Sequence, residues 1–426
     1  MLKPPVPVNV GGLWTSERAS EQLFLPMRIT VFFDNFGPYH VARLSAASQI
    51  CEILGLEWRG RSKTYAWEPV DCASCFEKRT LLGSEVARCN NHDLLQLLEN
   101  ELDPTSVNAV VVNGWGDFGP PAVISWALKC GIPIVIMSES MERDAVRVGW
   151  KEWVKRNLVG LCSAALVGGS PHKEYMIKLG MPAERVFLGY DAVDNDYFGQ
   201  GAKEVKSRKD EVRRKHGLPG NYFLASARFV EQKNLPRLIE AYSLYRKKAE
   251  SRKRKAEIWD LVLLGDGALR ESLCALRSAL GLDACVHLPG FKQYPELPAY
   301  YGLANAFIHA STKEPWGLVV NEAMASGLPV LVSNRCGCAP DLVKDGTNGF
   351  TFDPYNVEEM AQLMLKISAF NFPLSAFGSE SQRIISNWGT ERFAAGLKAA
   401  ADKAVEIGPQ SASWMARLLL RTLLFR

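Results

Sequence analysis

The stretch "ANAFIHASTKEPWGLVVNEAMASGLPVLVSN" (residues 304–334) reads as strand, helix and strand in succession. "ANAFIHA" is an apolar run of strand length that stops at the polar Ser311–Thr312. Pro315 and Gly317 suit a loop and a helix start. "LVVNEAMASG" follows as a helix closed by Gly327, and "LPVLVSN" as the next buried strand.

The same rhythm extends in both directions. Short apolar runs at 27–33, 107–113, 132–138, 163–169 and 185–190 form a first series. Runs at 221–227, 259–265, 285–290, 304–310 and 328–334 form a second. Apolar runs bounded by Gly, Pro or Asn and alternating with helices are the signature of buried parallel strands. Two such series predict an α/β protein of two doubly wound, Rossmann-like domains facing a central cleft. A polar break is expected over 190–210. The predicted domains are 27–195 and 205–385, with C-terminal helices over 386–426 that cross back to the first domain. In such proteins ligands bind beyond the strands' carboxyl ends, so the chemistry belongs in the cleft.

Composition narrows the class. The chain has 426 residues, 47% hydrophobic and 23% charged, with a net charge of +4. That balance demands no nucleic-acid partner and suits an anionic substrate or an anionic membrane surface. Residues 1–27 carry Pro and charges throughout, with no apolar core of a secretory signal. No run of about 20 apolar residues is present, which predicts a cytoplasmic protein, peripheral to the membrane's inner face at most. The pairs Cys72/Cys75 and Cys336/Cys338 are read as reduced thiols. The cluster "YRKKAESRKRKAE" (245–257) is read as a solvated helix end. The tail "SASWMARLLLRTLLFR" (411–426) has three Arg and no acid. It fits a helix lying on an anionic bilayer, and equally one packing its apolar side on the protein.

Within 304–334, Glu314 and Glu322 flank the helix start. The first helical amides, near Gly317, Leu318 and Val319, lack intrahelical partners and form an anion site with the helix dipole. A carboxylate on either side can accept hydrogen bonds from hydroxyls. A phosphate with a sugar at each end matches that arrangement, so a nucleotide sugar is the expected ligand. Arg228 and Lys233 follow the first strand of the second domain, where cations meet a diphosphate. "LLGDGAL" (263–269) places Gly265 in a turn after a strand but lacks the third Gly of a dinucleotide fingerprint. The turn Pro289–Gly290–Phe291 can offer backbone groups to a base, whereas Tyr300 and Tyr301 read as core.

"SARFVEQKN", "LVLLGDG", "VHLPGF", "ASTKEPWGLVVNEAMASGLPVLVSN" and "DLVKDGTNGFTFDP" together resemble family 4 glycosyltransferases of the GT-B fold, nearly continuously from about 221 to 385. The resemblance implies retaining, metal-independent transfer from a nucleotide-activated sugar to a glycan or lipid-linked acceptor, in surface polysaccharide or glycolipid synthesis. It implies that Arg228 and Lys233 hold the diphosphate, that Glu314 meets donor-sugar hydroxyls, that Glu322 meets the ribose, and that the Leu318–Val319 amides cap phosphate or sugar oxygens. No cofactor is implied beyond the donor itself.

The first half is expected to hold the acceptor. In "FFDNFGPYHVARL" (32–44) a strand, a turn at Gly37–Pro38 and a helix bring His40 toward the cleft, either as a phosphate or acceptor contact or as a cap. Glu139, between Ser138 and Ser140, stands where many family members place a His near the donor sugar. Gly168–Gly169 and Ser170 border the cleft. Asp194-x-Asp196 is read as linker rather than as metal ligands. The competing readings are a nucleotide-sugar epimerase or phosphorylase on the same scaffold, an NAD-dependent oxidoreductase, and a non-catalytic carbohydrate binder. An oxidoreductase predicts G-x-G-x-x-G after the first strand, where the chain has "DNFGPYH".

Overall fold

The computed structural model describes residues 27–60, 75–82, 89–115, 118–251 and 258–425. Its first sheet contains β1 (Arg28–Phe33), β2 (Glu52–Arg59), β3 (Glu77–Leu82), β4 (Ala109–Asn113), β5 (Ile134–Ser138), β6 (Ala164–Val167) and β7 (Val186–Leu188). The second contains β8 (Tyr222–Ser226), β9 (Asp260–Leu264), β10 (Val286–Gly290), β11 (Ala306–His309), β12 (Val330–Ser333) and β13 (Gly349–Phe352). The orders are β3-β2-β1-β4-β5-β6-β7 and β10-β9-β8-β11-β12-β13. Neighbouring strands in both are parallel, as at β1–β4 and β8–β11, where the order reverses. Those two reversals are the switch points at which open parallel sheets leave a crevice.

Period-two burial on both faces explains the continuous apolar runs. On β4, Val110 and Val112 join one core while Ala109 and Val111 join the core on the opposite face. On β8, Tyr222 and Leu224 face one layer, and Phe223 and Ala225 the other. A strand covered by helices on both sides has no solvent face on which to place polar residues.

Three strands were not legible. β2 carries Glu57, buried at 1% exposure, which accepts from the Phe36 amide (2.7 Å) and the Thr80 hydroxyl (2.7 Å). β3 is a polar edge strand, where one flank meets solvent. β13 is only four residues long.

The expected polar break is helical instead, over Asn195–Ser207 and Lys209–His216. Asp194 caps the first of these, accepting from the Tyr197 amide (2.8 Å), and Phe198 and Ala202 are buried. One cap and a sparse apolar stripe sufficed, because packing on the second domain supplies what the local pattern lacks.

The helix Thr390–Ile407 returns to the first sheet and buries Phe393, Leu397, Ala400 and Ala404 with β1, β4, β5 and β6. The helix Trp414–Leu424 packs Ala416, Leu420 and Leu424 into the core on the sheet's other face. Of the two cysteine pairs, Cys336 and Cys338 are buried thiols, Cys75 is exposed and Cys72 lies outside the described residues. Residues 245–251 end the helix Leu235–Ser251, and the rest of the basic cluster, 252–257, also lies outside the described residues. No described helix is long and apolar enough to cross a membrane.

Candidate active site

Between the sheets lies a cavity of about 560 Å³. It is lined by His40, Arg228, Lys233, Gly265, Phe291, Glu314, Gly317, Leu318, Val319 and Glu322. These are residues singled out in the sequence, now brought together from both domains. Gly290 is not among the lining residues; its carbonyl accepts from the Gly265 amide (3.1 Å). Its neighbour Phe291 reaches the cavity and is 37% exposed.

The C-terminal wall is built on β11 and the helix Leu318–Ala325. Gly317 caps that helix at φ 105°, a left-handed conformation that L side chains rarely adopt, and no side chain caps it. A Cβ there would also lie 3.3 Å from the Glu314 Cγ. The bare helix start therefore faces the cavity, as an anion site requires.

Glu314 Oε2 is crowded. It accepts from the Lys233 ammonium, from His309 Nε2 (2.8 Å) and from the Ser311 hydroxyl (3.1 Å). Burial alone would raise its pKa, but the Lys233 charge and the His309 hydrogen bond outweigh burial and hold the carboxyl well below the usual range. Burial lowers the pKa of His309, against the pull of Glu314. The sequence predicts Lys233 on phosphate and Glu314 on sugar; in the structure the two hold each other.

Glu322 behaves oppositely. At 1% exposure, burial pushes its carboxyl up to about 7. Its Oε1 accepts from the Tyr39 hydroxyl of the first domain, and its Oε2 is buried without a hydrogen-bond partner.

On the N-terminal wall, His40 Nδ1 accepts from the Gly37 amide (3.1 Å), so the histidine is a helix cap. Burial lowers its pKa to about 3, which leaves the neutral ring with its proton on Nε2. His40 can therefore donate to an oxygen in the cavity but cannot accept a proton there. Arg43 is 2% exposed; its Nε donates to the Ala192 carbonyl (2.9 Å), and Nη2 stands 3.9 Å from Asp191 Oδ1. Burial and the neighbouring Glu139 push Asp191 far up, and burial raises Glu139 as well. Asp194 is the helix cap described above, and Asp196 is exposed in the first helical turn.

The domains meet through specific contacts. His172 Nε2 donates to the Pro315 carbonyl (2.8 Å), beside Glu314. The Ser170 amide (2.8 Å) and hydroxyl (2.6 Å) donate to Asp341, and Arg143 donates to the carbonyls of Asn334 (3.0 Å) and Cys336 (2.9 Å). Gly168 and Gly169 exist for this approach. A Cβ on Gly168 would lie 3.1 Å from the Trp316 ring, and one on Gly169 would lie 2.7 Å from the same ring.

Tyr39, Arg43, Asp191, His309 and Ser311 were not singled out in the sequence. His309 and Ser311 had a signal, as polar residues at the end of a buried strand. Arg43 had another, as a charge beside the buried Leu44 and Ala47 of its helix.

Residues 208–379 match the family model described as "Glycosyl transferases group 1". Alpha-D-kanosaminyltransferase of Streptomyces kanamyceticus is 29% identical over 219 residues, 51% of this chain and 54% of that protein. Lipopolysaccharide core biosynthesis glycosyltransferase LpsE of Rhizobium meliloti is 32% identical over 148 residues, 35% of this chain and 39% of that protein. The chain thus spans about half the length, or less, of these curated relatives. Among solved structures, Anabaena HepE in complex with UDP and glucose superposes with a TM-score of 0.66 at 17% identity, covering 87% of this chain and 98% of that one. A glycosyltransferase from Rickettsia africae gives 0.68 at 12% identity, with 89% and 98% covered. The two parallel sheets and the cleft between them are the GT-B fold, and the half of the chain that builds the cavity's C-terminal wall is similar to group 1 glycosyl transferases.

Proposed function

We propose that the chain is a retaining glycosyltransferase that moves a sugar from a nucleoside-diphosphate sugar to a glycan or lipid-linked acceptor. The observation that carries this reading is one cavity holding a bare helix N-terminus with a carboxylate at either end and two cations beside it. The relatives named for sugar transfer and the neighbour crystallised with UDP and glucose point the same way.

In this reading the C-terminal wall takes the donor and the N-terminal wall the acceptor. Glu322 accepts from ribose hydroxyls and Glu314 from hydroxyls of the transferred sugar. As the bond from the sugar's anomeric carbon to the phosphate oxygen breaks, negative charge grows on that oxygen. Arg228, Lys233 and the amides of Leu318 and Val319 oppose it, each such group supplying several kcal/mol, about 3. The acceptor oxygen bonds the anomeric carbon on the same face, and its proton passes to the departing phosphate. These cations make a metal clamp unnecessary. No residue is assigned as a carboxylate nucleophile.

Acceptor delivery is part of the reading. The outer face of the helix Trp414–Leu424 leaves Trp414, Met415 and Leu418 exposed beside Arg417 and Arg421, and the adjoining helix Gly149–Val159 exposes Trp150 and Trp153. Aromatic and basic side chains in that combination suit the headgroup region of an anionic membrane's inner face.

The test is thermal stabilisation by UDP, GDP and ADP, each with and without EDTA, followed by transfer from the matching sugar donor. One nucleotide that raises the melting point regardless of EDTA, and whose sugar is transferred with its anomeric configuration kept, is the expected result. An EDTA-sensitive shift would overturn metal independence, and inversion would overturn the retaining assignment.

A further inference from the structure

Glu322 stands in the second domain, yet the hydroxyl that holds its Oε1 comes from the first. Tyr39 sits in the opening turn of the helix Pro38–Ala47, next to His40. Its ring meets Tyr294 edge-on at 5.7 Å, and Tyr294 stacks on Tyr197 at 4.6 Å. Tyr39 thereby docks into an aromatic group of the opposite domain and packs against that domain's core. Both Tyr39 and Glu322 line the cavity beside Gly317, Leu318 and Val319. The second carboxylate oxygen, Oε2, has no hydrogen-bond partner although the residue is 1% exposed.

We propose that Tyr39 is a positioning residue for nucleotide recognition: by holding Oε1 across the domain boundary it fixes the Glu322 carboxylate so that Oε2 is the acceptor for a ribose hydroxyl. The proposal rests on the nucleotide-sugar reading of the cavity. An unmade buried acceptor is costly, so a carboxylate with one oxygen pinned and the other bare gains when a hydroxyl donor arrives. It also makes recognition depend on closure. When the domains part, Tyr39 leaves, and Glu322 keeps only the Tyr301 hydroxyl of its own domain to stabilise its ionised form.

The groups around Glu322 are the hydroxyls of Tyr39, Tyr294 and Tyr301, with Arg228, Lys233, Lys292 and Glu314 elsewhere on the cavity wall. Burial favours the neutral acid, and the Tyr301 and Tyr39 hydroxyls oppose it, Tyr301 from the same domain and Tyr39 from across the boundary. Tyr39→Phe keeps the ring and its packing but removes the donor. The carboxyl should then hold its proton to higher pH, and a protonated Glu322 is a poorer acceptor.

The experiment is calorimetric titration of wild type, Tyr39→Phe, Glu322→Gln and the double variant with UDP, and with GDP and ADP if UDP is silent, from pH 6 to pH 9. We expect Tyr39→Phe to weaken binding about tenfold near pH 7. Its pH midpoint should move upward, with affinity largely regained at pH 9. On the Glu322→Gln background, Tyr39→Phe should change little. Unchanged or tighter binding by Tyr39→Phe would overturn the proposal, as would equal losses on both backgrounds. No binding of any of the three nucleotides by the wild type would remove the nucleotide reading, and this proposal with it.

Discussion

Lys233 and Glu314 form an ion pair in the cleft, each with a side chain only 11% exposed. The cation comes from the turn after β8 and the carboxylate from the turn after β11, neighbouring strands of the second sheet. An ion pair this enclosed is sensitive to the loss of one partner, because the survivor keeps its desolvation cost without compensation.

Lys233→Ala should therefore destabilise the protein by about 3 kcal/mol. Lys233→Ala with Glu314→Ala should cost less than the two single effects combined, with a coupling of about 1–3 kcal/mol. Urea unfolding of the four proteins measures it. Additive losses would mean that the pair is not a coupled unit. Sugar transfer should be lost in both single variants.

Glu322 gives the stability a pH dependence of definite sign. Its carboxyl is raised from 4.5 to about 7 by burial, so between those values the folded state binds more protons than the unfolded. Its contribution is fully present below the unfolded value and is lost as pH rises toward 7. Glu322→Gln should abolish that fall, which amounts to roughly 3 kcal/mol. Chemical denaturation of both proteins at pH 5 and pH 8 decides it; equal slopes would contradict the buried, hydroxyl-held carboxyl.

Gly317→Ala should cost about 1–3 kcal/mol, since φ 105° is strained for alanine. The methyl would also press on the Glu314 side chain at 3.3 Å. Nucleotide affinity should fall further than stability alone explains, because the cap aims the first helical amides. Calorimetric binding alongside denaturation separates the two effects.

Gly169→Ala should act on the join between domains. Its Cβ would fall 2.7 Å from the Trp316 ring and 2.1 Å from Asp341 Oδ2. Transfer should drop sharply, while the spectra of both sheets and nucleotide binding to the second domain persist. Wild-type kinetics in this variant would show that the cleft tolerates a wider opening.

Trp414→Glu with Leu418→Glu should release the protein from vesicles rich in phosphatidylglycerol, by about tenfold or more per residue. Both side chains are exposed, so folding and nucleotide binding should be unaffected. Equal co-sedimentation of variant and wild type would reject the membrane reading.

Much of this arrangement was legible along the chain, and particular residues show where legibility stops. The runs that became β4, β5, β8 and β12 announced themselves because burial on both faces leaves no polar position. The helix start at Gly317 was visible because Pro, Gly and an apolar run are local signals. Glu57 on β2 hid a central strand, because its partners Phe36 and Thr80 are distant in sequence and only the fold supplies them. The two helices between the domains were hidden for the same reason: their apolar stripe is thin, and the second domain completes it.

The sequence by itself determined two parallel-sheet domains, the cleft between them, and the side chains of the cavity's C-terminal wall. Strand length, apolar runs and helix-start chemistry are local, and each residue carries its own share of them. Only the tertiary structure decided that Lys233 rests on Glu314, that Tyr39 crosses to Glu322, and that Gly168–Gly169 makes room for Trp316 and Asp341. Those are contacts between segments tens to hundreds of residues apart. Their partners are chosen by packing and by the cost of leaving a buried polar atom unpaired, and no local pattern records either.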